Sequence, residues 1–180
     1  MGKWLAVAVF TAAFALVAGN ALAEPVENPA NGHFYSVVEA DSGASNYWED
    51  VELKAQGIGG HLVTINDAAE QAWIYDTLVK ESNRNYWIGL NDILVEGTFA
   101  WPDNEAYSYQ NWKPAWHNTA TKDYAFMRES DGGLWDIGYK SDYRIGIAEM
   151  PSVAPEPISS ALFVLGGATL AFRRRKRGHS

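Results

Sequence analysis

Residues 87–90 read Trp-Ile-Gly-Leu. Together with Tyr86 they make one of several short aromatic and β-branched runs that read as strands. Working outward, other short motifs follow in a fixed order. Gly59-Gly60-His61-Leu62-Val63-Thr64-Ile65 and Glu70-Gln71-Ala72-Trp73 lie upstream. Downstream come Glu96-Gly97-Thr98-Phe99-Ala100-Trp101, Asn111-Trp112, Gly133-Leu134-Trp135-Asp136 and Ala148-Glu149. Glycines 59 and 60 let the chain leave a helix and turn sharply into a strand. Trp87, Trp101 and Trp135 can fill the centre of a small sheet with few residues, and Trp73 reads as core packing as well.

The flanking texture gives the fold class. His33–Val38 reads as a first strand. A helix is expected over Tyr47–Gln56, with Ser45 or Asn46 as N-cap and Gly57 as its end. A second is expected over Ala68–Lys80, where Asp67 and Glu70 match a capping box and the pairs Ile74/Leu78 and Tyr75/Val79 form an apolar face. Beyond Ser82 the pattern changes to short strands at 86–90, 99–101, 124–128, 134–137 and 143–149. A polar, aromatic-rich loop over residues 102–122 interrupts them, and so long a loop in a small domain points to function. Helices first and strands after indicate an α+β domain.

The ordered motifs resemble a C-type lectin-like domain covering residues 32–150. That resemblance implies two helices packed on small antiparallel sheets, a long loop region, and chain ends paired as adjacent strands, here 33–38 with 143–149. It also implies two disulfides, yet the chain has no cysteine. Ala55 and Ala148 stand at one pair of positions. Tyr124 stands at the third, with the fourth near Tyr139 or Lys140. A cysteine-free bacterial variant must replace by packing the roughly 2–4 kcal/mol that each bridge contributes.

The same resemblance implies a calcium that coordinates two vicinal sugar hydroxyls, which needs oxygen ligands at about 2.3–2.6 Å. Counting from Trp112, the ligand triplet falls on Trp116-His117-Asn118, the following glutamate on Lys122, and the last pair on Asp136-Ile137. Asn118 and Asp136 remain as matching ligands. Trp116 and Ile137 offer no side-chain oxygen, and Lys122 repels a cation. Trp116, expected at an exposed loop tip beside His117, can stack on a sugar face, anchor a protein or pack locally. A second calcium site of the family corresponds to Asp92, Glu96 and Asp123, which read either as oxygen ligands or as solvated loop carboxylates.

The two ends read separately from the domain. Residues 1–23 carry Lys3, an apolar stretch and Ala21-Leu22-Ala23, the pattern of a signal peptide cut by signal peptidase. Residues 24–31 read as a short leader. A stiff linker, 151–157, contains Pro155-Glu156-Pro157. Ile158–Phe172 is uncharged and spans roughly 22 Å at 1.5 Å per residue, against a bilayer core of about 30 Å. It reads as a transmembrane helix, with an interfacial helix as the alternative, followed by a basic cytoplasmic tail at 173–180. This order resembles the PEP-CTERM sorting signal, which implies handling by an exosortase. The protein is then exported, anchored in the membrane before processing, and afterwards at the cell surface or extracellular.

Composition narrows the function. The chain of 180 residues carries a net charge of −8, and residues 24–156, with 8 basic and 22 acidic side chains, carry −14. Such a surface argues against nucleic acid as partner. Without cysteine there is neither a disulfide scaffold nor a thiolate metal site. Only His33, His61 and His117 lie between the two ends, and no nucleophile, zincin or phosphate-loop motif accompanies them. The sequence therefore reads as a non-enzymatic recognition module for a glycan, with exopolysaccharide as the expected polymer. The alternative is a structural or adhesive domain that binds an extracellular protein without calcium or sugar.

Overall fold

A computed structural model describes residues 24–116 and 118–152. The expected signal peptide, His117, the Pro155-Glu156-Pro157 motif, the apolar segment 158–172 and the basic tail lie outside the described residues. Among the described residues, no helix is long and apolar enough to cross a membrane.

Among the described residues, seven strands and two α-helices follow in the order β1 (Val26–Glu27), β2 (Phe34–Val38), α1 (Trp48–Gly57), β3 (His61–Leu62), α2 (Ala68–Ile74), β4 (Tyr86–Asn91), β5 (Lys122–Met127), β6 (Trp135–Tyr139) and β7 (Ile145–Met150). They form one sheet ordered β1-β2-β7-β4-β5-β6, with β3 also paired to β7. The expected separate antiparallel sheets are thus a single mixed sheet. β7 lies antiparallel to β2 and β3 but parallel to β4, where Tyr86 and Trp87 meet Ile145 and Gly146. The chain ends pair as expected, from Phe34 opposite Met150 to Val38 opposite Gly146.

Local differences have local causes. Residues 26–27, read as leader, form β1, because Asn28-Pro29-Ala30-Asn31-Gly32 folds back as a hairpin turn onto β2. The N-cap of α1 is Tyr47, without a side-chain cap. Asn46 is occupied elsewhere: its Oδ1 accepts from the Ala40 N–H at 2.8 Å. Only Ala100 of the expected strand 99–101 pairs, in a single bridge to Asn91.

The second helix changes to a π-helix over Tyr75–Val79. Its i→i+5 turn brings Ile74 and Val79 to the same buried face, whereas the expected i, i+4 pairing would have used Leu78. Asp67 caps α2 as expected, accepting from the Ala69 and Glu70 N–H groups. Glu70 does not reciprocate to Asp67. It is buried and accepts from the Tyr35 hydroxyl at 2.6 Å and the Asn66 N–H at 2.8 Å. Burial raises its carboxyl above the ordinary range against those two bonds.

The core falls into two clusters. Trp48, Val51 and Ala55 of α1 pack with Leu62, Trp87, Tyr124, Phe126 and Ala148. The second cluster gathers Tyr35, Ile74, Trp101 and Trp135 with the interior of β4 and β7. Ala55 and Ala148 are fully buried within the first cluster, so packing replaces one absent bridge. At the other position, Tyr124 and Lys140 both bond to Glu49 Oε1 at 2.7 Å. Burial opposes ionisation of Glu49, but the bonds from Lys140 and Tyr124 outweigh it and hold the carboxyl below its ordinary value.

Candidate functional site

The long loop is seated on one buried side chain. Trp135 is fully buried, and its indole N–H donates to Gln71 Oε1 at 2.7 Å. Its backbone holds the loop on both sides: the Trp135 N–H donates to Asn111 O at 2.8 Å, and Lys113 N–H donates to Trp135 O at 2.9 Å. Trp101, Tyr109 and Trp112 meet the Trp135 ring edge-on at 5.9, 5.7 and 5.7 Å.

An aromatic column leads from this core to the surface. Trp112 stacks on Trp116 at 4.2 Å and 16°, and Phe99 supports both rings. Trp116, expected at an exposed loop tip with local packing as the alternative, is half-buried as the outer ring of this column. Ala115 before it adopts φ 57, a left-handed conformation costly for a residue with a Cβ and common where structure serves function.

The residues matched to the sugar-bridging calcium are dispersed. Asp136 Oδ2 pairs with Lys113 Nζ at 2.8 Å and with Arg128 Nη1 at 3.2 Å, so its charge is already balanced. Ile137 is buried. Asn118 turns away to donate to Asp92 Oδ2 at 2.7 Å. These residues do not fit a calcium shared with sugar. The clamp was not visible in the sequence because Lys113 reaches Asp136 from the long loop and Arg128 reaches it from across the β5–β6 hairpin.

A second corner gathers Asp92, Glu96, Asn118 and Asp123. Asp92 is 2% exposed and also accepts from the Gly97 N–H at 2.9 Å. Its Oδ1 and the Oδ1 of Asn118 are buried with no hydrogen-bond partner. Orphaned buried acceptors are costly unless something satisfies them. Burial, then the charge of Asp92, then that of Glu49, raises the Asp123 carboxyl above its ordinary range. Glu96 is raised too, by desolvation and then by the Asp92 and Asp123 charges. Among the described residues no three His, Cys, Asp or Glu side chains are gathered closely enough to hold a metal ion by themselves. The two orphaned oxygens nevertheless fit a hard cation in kind and sign. Between Asp92 and Glu96, Ile93, Leu94 and Val95 are 47%, 90% and 60% exposed. The sequence signal for this apolar tip is the aliphatic triplet Ile93-Leu94-Val95 set between two acidic residues.

His61 has a structural role. Its Nδ1 contacts Leu62 O at 2.9 Å, and its Nε2 lies 3.5 Å from Asp103.

The family model described as the Lectin C-type domain matches residues 44–139. The chain belongs to the C-type lectin domain family. It is 31% identical over 129 residues to a perlucin-like protein of Mytilus galloprovincialis, covering 68% of this chain and 83% of that protein. It is 40% identical over 74 residues to Lectin BRA-3 of Megabalanus rosa, covering 38% of this chain but only 44% of that lectin. Among solved structures, the cow C-type carbohydrate-recognition domain of CD23, determined in the presence of GlcNAc2Man3 oligosaccharide, superposes with TM-score 0.58. That superposition has 25% identity and covers 68% of this chain and 90% of the other. Within this lectin domain, the acidic corner follows the end of β4, and the long loop is anchored at the start of β6, where Trp135 faces Met127.

Proposed function

We propose that this lectin domain is an exported recognition module that binds a carbohydrate through the aromatic face of its long loop, without a calcium bridging to the sugar. The observation that carries the reading is the Trp112–Trp116 stack at 4.2 Å. An indole held rigid on a second indole presents its outer face at little entropic cost, and such a face packs on the C–H side of a sugar ring. The lectin names among the relatives support carbohydrate as the ligand class. The sequence signals at both ends support export through signal peptidase, passage through a membrane-anchored stage and processing by an exosortase at Pro155-Glu156-Pro157. Exopolysaccharide at the cell surface or in the matrix is then the polymer within reach. The relatives are binding proteins, and the reading assigns no catalysis.

On a glycan array bearing exopolysaccharide fragments, Trp116→Ala in the full chain is expected to weaken binding by about tenfold, or about 1.4 kcal/mol. An unchanged binding profile would refute the aromatic site. The exposed Ile93-Leu94-Val95 tip favours the second reading, adhesion to an extracellular protein. Absence of any glycan retention, with partner capture lost in Leu94→Ser, would decide for it.

Calcium has a separate place in this reading. Asp92, Asn118 and Asp123 would hold it, with Glu96 at the rim, and it would supply positive charge that braces the corner beneath the loop. The pH dependence follows from the raised Asp123 carboxyl. A carboxyl whose folded value lies above its unfolded value contributes stability below the unfolded value and loses it as pH rises through the folded one. Without calcium at neutral pH, ionised Asp123 therefore costs stability. Asp123→Asn is expected to melt above the wild type in EDTA at pH 7, with the gap closing on acidification. Added calcium is expected to raise the wild-type melting temperature and to leave Asp123→Asn unmoved. A wild type indifferent to calcium would remove the cation from the account.

A further inference from the structure

At the far end of β4 from the acidic corner, the start of that strand and the turn between β6 and β7 enclose a polar cleft of about 460 Å3. Its volume is within the range of about 300–1,000 Å3 in which proteins hold small ligands.

The wall is built and fixed. The Arg144 guanidinium lies over the Phe126 ring at 3.8 Å and the Trp87 ring at 4.6 Å. Asp142 Oδ2 holds its Nη1 at 2.8 Å while accepting from the Tyr139 N–H at 3.1 Å. A Cβ on Gly138 would stand 2.7 Å from Asp142 Oδ2 and 3.2 Å from Arg144 Nη1, so glycine leaves the space this pair occupies. Two amides are oriented by their oxygens: Asn46 Oδ1 accepts from Ala40 N–H, and Asn85 Oδ1 accepts from Glu129 N–H. Neither Nδ2 has a hydrogen-bond partner among the described residues, so both remain donors. Tyr143 stands between Asp142 and Arg144 and is 65% exposed, its ring edge-on to Tyr47 at 6.0 Å. At the mouth, Arg84 pairs with Glu39 at 3.2 Å.

The chemistry selects a ligand class. Arg144 with Asp142 and Arg84 with Glu39 cancel in charge, so a charged ligand gains nothing from the lining. Fixed donors next to fixed acceptors suit hydroxyl groups, each of which both donates and accepts. An exposed ring beside them suits the C–H face that a pyranose presents with those hydroxyls. We propose that this cleft is a second, metal-free binding site for an uncharged saccharide unit. The proposal rests on the cleft alone and does not depend on the long-loop site.

The test is NMR titration of the isotope-labelled full chain in EDTA with methyl glucoside, methyl galactoside and methyl mannoside. At least one is expected to shift the Asn46 and Asn85 side-chain amides and the Arg144 Nε–H saturably below about 100 mM. Tyr143→Ala, or Arg84→Met if the first variant disturbs the remaining spectrum, is expected to weaken that binding by about fivefold. Trp116→Ala should leave these shifts in place, which separates failure of this site from failure of the long-loop site. No saturable shift at these groups with any of the three sugars overturns the proposal. So do shifts indifferent to both cleft variants, or tighter binding of sodium glucuronate than of methyl glucoside.

Discussion

Trp135→Ala is expected to lower the unfolding free energy by about 3–5 kcal/mol, the usual cost of deleting a buried tryptophan. The ring is fully buried and meets three other aromatic rings edge-on. Its loss also leaves Gln71 Oε1 without the donor it holds at 2.7 Å. The backbone bonds to Asn111 and Lys113 are made by Trp135 itself, so the cavity opens directly under the long loop. Denaturant unfolding followed by circular dichroism reads the loss. Trp135→Phe should recover part of it, because an aromatic contact survives while the Gln71 bond does not. A midpoint unchanged in Trp135→Ala would mean that the loop is seated elsewhere.

Gly60→Ala is expected to have the second large effect, about 3 kcal/mol, at the upper end of overpacking penalties. A Cβ there would lie 2.0 Å from the Glu149 carbonyl oxygen and 2.8 Å from its carbon. Backbone cannot step aside as a flexible side chain can. The clash would push β3 off β7, where His61 faces Glu149 in register. It would also pull on the buried Glu149 carboxylate, which accepts from Thr64 N–H at 3.0 Å and contacts His33 Nδ1 at 2.6 Å. Gly59→Ala is the useful contrast, because nothing lies within 4 Å of its Cβ and only its φ of 88 resists substitution. A loss at Gly60 no greater than at Gly59 would show that close approach is not the reason for the second glycine.

Much of the fold was legible because its causes are local or compositional. Trp87, Trp101 and Trp135 declared a buried aromatic centre, and the Gly59-Gly60 pair declared the turn into β3. The strand pairing of the chain ends came with the resemblance that these motifs carry. The misreadings share a different cause. Asp136 looked like a free metal ligand because Lys113 reaches it from the long loop and Arg128 from across the β5–β6 hairpin. Glu70 looked like a capping partner of Asp67, yet Tyr35 and Asn66 claim it once it is buried. The strand at Val26–Glu27 is too short, and too close to Pro25 and Pro29, to show a period. At the site, Asp92, Asn118 and Trp116 were each legible as residues of interest. Their partners were not, since the Trp112–Trp116 stack and the Asp92–Asn118 bond depend on the path of an irregular loop.

The most direct measurement is equilibrium binding of the full chain to any glycan that the array identifies, compared in calcium and in excess EDTA. With Asp136 held by two cations and Ile137 buried beside it, the account predicts that affinity in EDTA stays within about fivefold of that in calcium. Binding abolished by EDTA and restored by calcium would contradict it, because the stacked indoles would then not hold the sugar without the cation.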